Sequence, residues 1–206
     1  MNRGFFPAPR LFPNCRFSGI PEDMSEDNPW KTVSSRVVYE NPWITVREDQ
    51  VIRPDGLPGI YGVVGTRAAT GVVALSETGD IYLVGQYRYP TEVYSWEIIE
   101  GGAEAGEAPL DAAKRELAEE AGLAAEDWLQ LGGELQLSNC HSSEIGYLYL
   151  ARKLRAVPSS PDGTEVLKLK KIPLAEAAAD AAAGRIVDGM SVMGILLALR
   201  FLADGR

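Results

Sequence analysis

Cysteine and long apolar runs are both scarce in this chain of 206 residues. With Cys15 and Cys140 as its two cysteines, the chain cannot carry a disulfide framework, and a reducing, cytoplasmic location is the default expectation. The longest apolar stretch near the C-terminus, residues 193–202, is too short to cross a bilayer. We therefore expect no membrane partner.

An excess of positive charge is also missing. Lysine and arginine total 20 against 29 aspartates and glutamates, which gives a formal net charge of −9. A protein that binds a nucleic-acid polymer needs a basic surface to neutralise the backbone phosphates, so a partner of this class is excluded. An acidic protein that binds an anionic substrate needs metal cations between the two, although the same acidic balance also serves solubility.

Three segments follow one another along the chain. Residues 1–29 are rich in Pro, Asn, Asp and Glu without periodicity, which predicts a flexible leader. Short β-branched and aromatic runs between turn signals predict antiparallel strands over residues 30–66. Residues 67–206 mix helical patterns with strand patterns, among them 129–137 and 144–154. This order predicts an α+β domain in which helices cover a mixed sheet.

Helical periodicity marks three segments of the larger domain. The first opens at Pro109 and ends at Gly122, which are the residue types that favour a helix start and a helix stop. The Ala-rich stretch 174–183 and the apolar stretch 190–203 predict two further helices. The apolar residues that recur at three- and four-residue steps in the first helix are Leu110, Ala113, Leu117 and Ala121. This face is expected to attach the first helix to the sheet.

The segment GGAEAGEAPLDAAKRELAEEAGL, residues 101–123, carries the strongest functional signal. On a helix, residues three and four apart share a face, so Glu116, Glu119 and Glu120 bring their carboxylates close together. Three like charges repel unless cations lie between them. Hard divalent ions such as Mg²⁺ or Mn²⁺ bind carboxylate oxygens and bridge phosphates, so the cluster predicts two or three ions that clamp a diphosphate. A solvated acidic helix face is the alternative.

The spacing of this segment is identified as a complete Nudix box. The resemblance implies a Nudix α/β/α sandwich with a mixed sheet, preceded by antiparallel N-terminal strands. It implies that the metal ligands are Glu116, Glu119, Glu120 and the backbone carbonyl of Glu100. It gives the structural positions of the box as Gly101, Glu107 and Gly122. Glu119 and Arg115 are assigned to catalysis, and Arg115 is expected to hold Glu107 or Glu119 in orientation by a charge-assisted pair.

Two stretches outside the box resemble ADP-ribose pyrophosphatases and their nucleotide-sugar relatives: residues 85–102, GQYRYPTEVYSWEIIEGG, and residues 40–64. The resemblance implies a homodimer joined by the N-terminal strands and a small-molecule nucleotide substrate. It makes Arg88 a phosphate contact, with an ordinary surface arginine as the alternative. Trp43 is assigned to substrate binding because it could stack on a base, as could Trp96, although a tryptophan in a strand more commonly fills the core.

The loop SNCHSSE, residues 138–144, stands where these relatives carry Ser-Pro-Gly-Phe-Ser-Asp-Glu. Glu144 matches the final position, which makes it a further metal ligand or the general base that activates water. His141, the single histidine of the chain, is a rival base or a phosphate contact. Because four of the seven positions differ from the relatives, the resemblance does not define the shape of this loop.

The sequence therefore predicts metal-dependent hydrolysis of the diphosphate linkage of a nucleoside diphosphate sugar or ADP-ribose. The expected products are a nucleoside monophosphate and a sugar phosphate. Two alternatives remain open at this stage. One is a Nudix hydrolase of a dinucleotide, a coenzyme or an oxidised nucleoside triphosphate, and the other is a Nudix module that senses a nucleotide without turnover.

Overall fold

The computed structural model describes residues 27–159 and 166–205. The predicted leader, residues 1–29, lies almost entirely outside these ranges. In chain order the elements are β1 (Lys31–Glu40), β2 (Thr45–Ile52), β3 (Pro58–Gly65), β4 (Ala69–Ala74), β5 (Asp80–Arg88), β6 (Val93–Glu97), β7 (Ile99–Gly102), α1 (Pro109–Ala121), β8 (Leu123–Gln136), β9 (Ile145–Ala156), β10 (Lys168–Pro173), α2 (Leu174–Ala182) and α3 (Gly189–Ala203).

The strands form three sheets. The N-terminal sheet has the order β1-β2-β3 and is antiparallel throughout, as the meander pattern predicts. A second antiparallel sheet has the order β10-β5-β6. The third has the order β7-β4-β9-β8, in which β4 and β9 are parallel and the other neighbours are antiparallel. The predicted α+β class with a mixed sheet is confirmed.

Helices cover both faces of the mixed sheet, and β4 shows how. Successive side chains of a strand point to opposite faces. Val72 belongs to a buried cluster with Leu117 of α1, whereas Val73 belongs to a second cluster with Ile195 of α3. All four side chains are fully buried, and each such burial stabilises the fold by about 1.5–3 kcal/mol. The sandwich of helix, sheet and helix follows from this alternation.

Helix α1 begins and ends where the sequence predicts. Pro109 stands in its first turn, where the missing N–H removes no helical hydrogen bond. Gly122 follows the last residue with φ of 62°, in the left-handed region that glycine enters without a steric penalty. The backbone N–H of Gly122 donates to the carbonyl of Ala118 and closes the helix at a distance of 3.1 Å. The acidic side chains of the box therefore lie on a helix with fixed ends.

Strand β8 is longer than its sequence pattern predicts. The pattern begins at residue 129, but the strand begins at Leu123, directly after α1. Residues 123–128 read LAAEDW and have little intrinsic strand preference. Pairing with β9 extends the strand, since Leu123 lies opposite Ala156. Long-range pairing overrides local propensity here.

No helix in the described ranges combines the length and the apolar character needed to cross a bilayer.

Candidate active site

A cleft of about 510 Å³ lies where the N-terminal sheet, the mixed sheet and α1 come together. Trp43 and the loop that follows β3 contribute to one part of its lining, and β7 and the second turn of α1 contribute to another. The charged residues that line the cleft are Arg67, Arg88, Glu100, Glu104, Arg115, Glu116 and Glu144. The cleft is therefore polar and carries both signs of charge.

Arg115 organises the acidic side chains of α1. Its Nε and Nη2 donate to the two carboxylate oxygens of Glu107 at 3.1 and 3.0 Å. Its Nη1 donates to Glu116 at 2.7 Å and to Glu119 at 3.0 Å, and Nη2 also donates to the carbonyl of Gly102 at 3.0 Å. The first of these contacts lowers the pKa of Glu107 below its ordinary value. Arg115 thus contacts both carboxylates that the sequence offered as its alternatives.

Gly101 makes room for the carboxylate of Glu116. A Cβ atom at position 101 would lie 2.0 Å from the Cδ atom of Glu116, so the Glu116 side chain would have to move away. The absence of a side chain at this position allows the Glu116 carboxylate to lie against the backbone of β7. This contact explains in steric terms why the box has glycine there.

Glu120 lies one helical turn beyond Glu116 and is buried, whereas Glu119 is more exposed and contacts Arg115. In the ranges that the structure describes, no three acidic, histidine or cysteine side chains converge closely enough to hold a metal ion together. The Nη1 atom of Arg115 donates to the carboxylates of both Glu116 and Glu119. The donors are nevertheless all oxygens, which is the chemistry that hard divalent cations require.

The loop that carries Glu144 is a tight, internally bonded turn. Ser138 adopts φ of 55°, and its carbonyl accepts the N–H of Ser142 at 3.0 Å. The Ser142 hydroxyl then accepts the N–H of Glu144 at 3.0 Å. The Glu144 side chain lines the cleft, and burial raises its pKa. The loop therefore has a defined shape although its sequence departs from that of the relatives.

Strand β3 is hydrogen-bonded to the loop that carries Glu144. The N–H of Val64 donates to the carbonyl of His141 at 2.8 Å, and the N–H of Ser143 donates to the carbonyl of Val64 at 3.0 Å. The Tyr61 hydroxyl donates to the carbonyl of Cys140 at 2.7 Å. The N-terminal sheet and the Glu144 loop are therefore joined by three hydrogen bonds.

Arg88 and Trp43 line the cleft in different ways. Arg88 donates through Nε and Nη2 to Glu97, whose side chain is 2% exposed, and this pairing raises the pKa of the guanidinium. Trp43 is 72% exposed and stands on a turn in which the Asn41 side chain accepts the N–H groups of Trp43 and Ile44. Its ring is therefore available for stacking and does not fill the core.

Two other sequence-predicted residues lie elsewhere. His141 is exposed, its Nδ1 lies 3.1 Å from the sulfur of Cys140, and it is not among the residues that line the cleft. Trp96 packs against the buried cluster of α2 and α3, with the Lys170 ammonium 4.3 Å from its ring centroid. Of the two tryptophans, the structure therefore brings Trp43 to the cleft and Trp96 to the core.

A polar network behind β7 has no signal in the sequence. The Ser191 hydroxyl accepts the N–H of Ile98 at 3.0 Å and donates to the carboxylate of Glu100 at 2.7 Å. Asp188 accepts the N–H of Ser191 at 2.7 Å at the start of α3. Burial and the neighbouring Asp188 raise the pKa of Glu100 well above its usual range. The side chain of Glu100 thus ties β7 to α3, a role separate from the one predicted for its carbonyl.

Arg67 is a second feature of the site that motif analysis does not find. It lies on the short connection between β3 and β4 and lines the cleft. It stands outside every periodic segment and outside the box, so no spacing rule marks it.

Comparison with known families and proteins assigns the chain. A family model described as the NUDIX domain matches residues 65–189, which is more than half of the chain. This chain belongs to the Nudix family. A second family model, described as the nucleoside diphosphate sugar hydrolase N-terminal domain, matches residues 30–64 of this Nudix protein. The two matches meet at the end of β3, where the N-terminal sheet gives way to the helix-covered sheet.

Individual relatives agree with this assignment. The Nudix protein is 34% identical over 173 residues to an ADP-ribose pyrophosphatase of Mycobacterium tuberculosis, with 82% of this chain and 83% of that protein covered. It is 30% identical over 169 residues to a methanol dehydrogenase activator of Bacillus methanolicus, covering 80% and 90%. A crystal structure of an ADP compounds hydrolase superposes with a TM-score of 0.78 at 23% identity, covering 88% and 98%. This last match supports the predicted Nudix fold.

Proposed function

We propose that this Nudix hydrolase cleaves the diphosphate linkage of ADP-ribose or a nucleoside diphosphate sugar into a nucleoside monophosphate and a sugar phosphate. The observation that carries the proposal is the meeting of Glu116 and Glu144, from α1 and from the loop before β9, in one cleft with Arg88. The similarity to a named ADP-ribose pyrophosphatase and to the nucleoside diphosphate sugar hydrolase N-terminal domain favours this substrate class over other nucleotides.

The acidic face of α1 would hold the divalent ions. Glu116, Glu119 and Glu120 supply carboxylate oxygens, and Glu100 supplies its backbone carbonyl. Two or three Mg²⁺ or Mn²⁺ ions, when bound, would neutralise the charge of the diphosphate and lower the pKa of a water molecule. Arg115 keeps Glu116 and Glu119 in place through its contacts at 2.7 and 3.0 Å.

Glu144 is the residue to which we assign the general base. It lines the cleft, and burial raises its pKa, which makes the carboxylate a stronger base. We expect Glu144→Gln to lower kcat by about ten- to a thousandfold while KM changes little. If Glu144→Gln is silent, the base is His141 or a box glutamate, and His141→Ala separates these two possibilities.

The test of the proposed function is a hydrolysis screen with identified products. ADP-ribose, nucleoside diphosphate sugars, dinucleotides, coenzymes and an oxidised nucleoside triphosphate are incubated with enzyme and Mg²⁺, with and without excess chelator. Metal-dependent release of a monophosphate and a sugar phosphate supports the proposal. Full turnover in excess chelator, or turnover confined to the other nucleotides, contradicts it.

Assembly is a second proposal: two copies form a homodimer through the N-terminal sheet. All ten residues of β1 are exposed in the single chain, and four of them are valine or tyrosine. The exposed large apolar residues of this sheet are Val33, Val37, Val38, Tyr39 and Ile60, and Leu57 is exposed in the β2–β3 turn. A surface of this kind is typical of an interface. A monomeric mass by light scattering at micromolar concentration would refute the homodimer.

We propose that the enzyme is cytoplasmic. Two cysteines cannot form a disulfide framework, and Cys140 is a free, exposed thiol of the kind that a reducing compartment preserves. Fractionation of the cells that produce it would test this location.

A further inference from the structure

Three arginines line the cleft, and two of them are already committed to carboxylates. Arg115 contacts Glu107, Glu116 and Glu119. Arg88 is held by the almost fully buried Glu97. Withdrawing Arg88 toward a ligand would leave the Glu97 charge buried and unpaired, which is strongly unfavourable. Neither guanidinium is therefore free to compensate the charge of an incoming anion on its own.

Arg67 differs from both. The Nη2 of Arg67 donates to the backbone carbonyl of Pro42 at 3.3 Å. Within residues 27–159 and 166–205, no carboxylate lies within ion-pair distance of the Arg67 guanidinium, in contrast to Arg88 and Arg115. Its side chain is exposed and lines the cleft. A carbonyl carries no net charge, so no group within residues 27–159 and 166–205 forms an ion pair with Arg67. An anionic ligand would complete its coordination with charge-assisted bonds.

The position of Arg67 indicates which part of a substrate it would meet. Pro42, to which it bonds, directly precedes Trp43, whose exposed ring is the aromatic surface of the cleft. On its other side, Ala68 accepts the N–H of Ala103, next to the glycines that precede α1. Arg67 therefore stands between the aromatic turn and the box.

We propose that Arg67 binds the phosphate that remains attached to the nucleoside after cleavage, with the base against Trp43. This inference deepens the proposed function and rests on it. Arg67 would then determine affinity for the nucleotide half of the substrate, whereas the box glutamates act on the diphosphate linkage. Because the interaction exists before the reaction as well as during it, its loss should raise KM and leave kcat nearly unchanged.

The test compares Arg67→Ala, Arg67→Gln and Arg67→Lys with a matched control, Arg53→Ala. Arg53 is an exposed arginine in the β2–β3 turn, where it pairs with Asp55 outside the cleft. We expect Arg67→Ala and Arg67→Gln to raise KM for ADP-ribose about tenfold or more with kcat within about twofold, since a hydrogen bond to a charged group is lost. Arg67→Lys should recover part of the affinity, and Arg53→Ala should match the unsubstituted enzyme.

Direct binding of product fragments separates a phosphate contact from a structural role. Arg67→Ala should weaken the binding of AMP by a similar factor while the binding of adenosine and of ribose 5-phosphate stays unchanged, as measured by calorimetry. Equal loss for adenosine and AMP would show that Arg67 only supports the Trp43 turn. Loss for ribose 5-phosphate with AMP unaffected would place Arg67 on the sugar half. Either result overturns the inference.

The two levels of the proposal fail in different ways. If the unsubstituted enzyme does not hydrolyse ADP-ribose or a nucleotide sugar, the proposed function is wrong. If it does so and Arg67→Ala has an unchanged KM, the function stands and the assignment of Arg67 is wrong.

Discussion

The N-terminal sheet and the helix-covered sheet differ in where their stability comes from. Every residue of β1 is exposed, whereas five of the six residues of β4 are buried between α1 and α3. Burial of apolar surface therefore stabilises the helix-covered sheet within a single chain. The N-terminal sheet instead depends on strand pairing, on its contacts with the Glu144 loop and, in our proposal, on a second copy.

The two sheets also contribute differently to the candidate active site. The less buried sheet and its flanks supply Trp43 and Arg67 and hold the loop of Glu144. The more buried part supplies α1 and its carboxylates on a rigid support. Substitutions in the helix-covered sheet and α1 should therefore change turnover and the free energy of unfolding. Substitutions in the N-terminal sheet should instead change the position of the Glu144 loop and the affinity for substrate.

The largest effect is expected from the acidic face of α1. Glu116→Gln or Glu120→Gln keeps the side-chain volume but removes a charged metal ligand, so turnover should fall about a hundredfold or more. Steady-state kinetics at saturating Mg²⁺ measures this change. Glu126→Gln, an exposed glutamate of β8, is the matched control and should be silent. Near-native turnover in both box variants would contradict the central assignment.

The second prediction compares apolar residues of the two regions. Leu117→Ala opens a cavity beneath α1 and should lower the free energy of unfolding by about 2–5 kcal/mol. Val37→Ala in the exposed strand β1 should cost about 0.5 kcal/mol or less in the monomer. Urea unfolding at several protein concentrations separates folding from assembly. If both variants lose the same free energy of unfolding, the two sheets do not differ in how much burial stabilises them.

The pair of Arg115 and Glu107 gives a pH-dependent prediction. Because the pKa of Glu107 is lowered in the folded state, its contribution is fully present above the unfolded pKa and is lost as pH falls through the folded value. Glu107→Gln should therefore lower the free energy of unfolding by about 1–2 kcal/mol at neutral pH. Below the ordinary pKa of a glutamate the difference should shrink. Glu176→Gln, on an exposed position of α2, is the matched control.

The smallest effect concerns the contact between the two regions. Tyr61→Phe removes the hydrogen bond to the carbonyl of Cys140, which helps to position the Glu144 loop. Loss of one such bond costs about 1 kcal/mol, so kcat should fall about three- to tenfold with KM nearly constant. Tyr87→Phe, an exposed tyrosine of β5 outside the cleft lining, is the control. A change in KM alone would show that Tyr61 does not act through Glu144.

The sequence by itself determined the features that depend on near neighbours in the chain. Pro109 and Gly122 define the ends of α1 through backbone chemistry, and the spacing of Glu116, Glu119 and Glu120 places them on adjacent positions of one helix. Each helix end, and the spacing of the three glutamates, depends only on residues within one or two helical turns. No knowledge of the fold is therefore needed to predict these features.

Other features were decided by tertiary structure alone. The first residues of β8 become a strand because β9 pairs with them, and the Glu100 side chain meets Ser191, 91 positions away, because α3 packs behind β7. Tyr61 reaches Cys140 across 79 positions. Arg67 reaches the carbonyl of Pro42, 25 positions away, whereas Arg88 and Arg115 pair with glutamates of the described residues. Contacts between segments that are distant in the chain have no fixed sequence spacing. Local sequence patterns therefore cannot predict them.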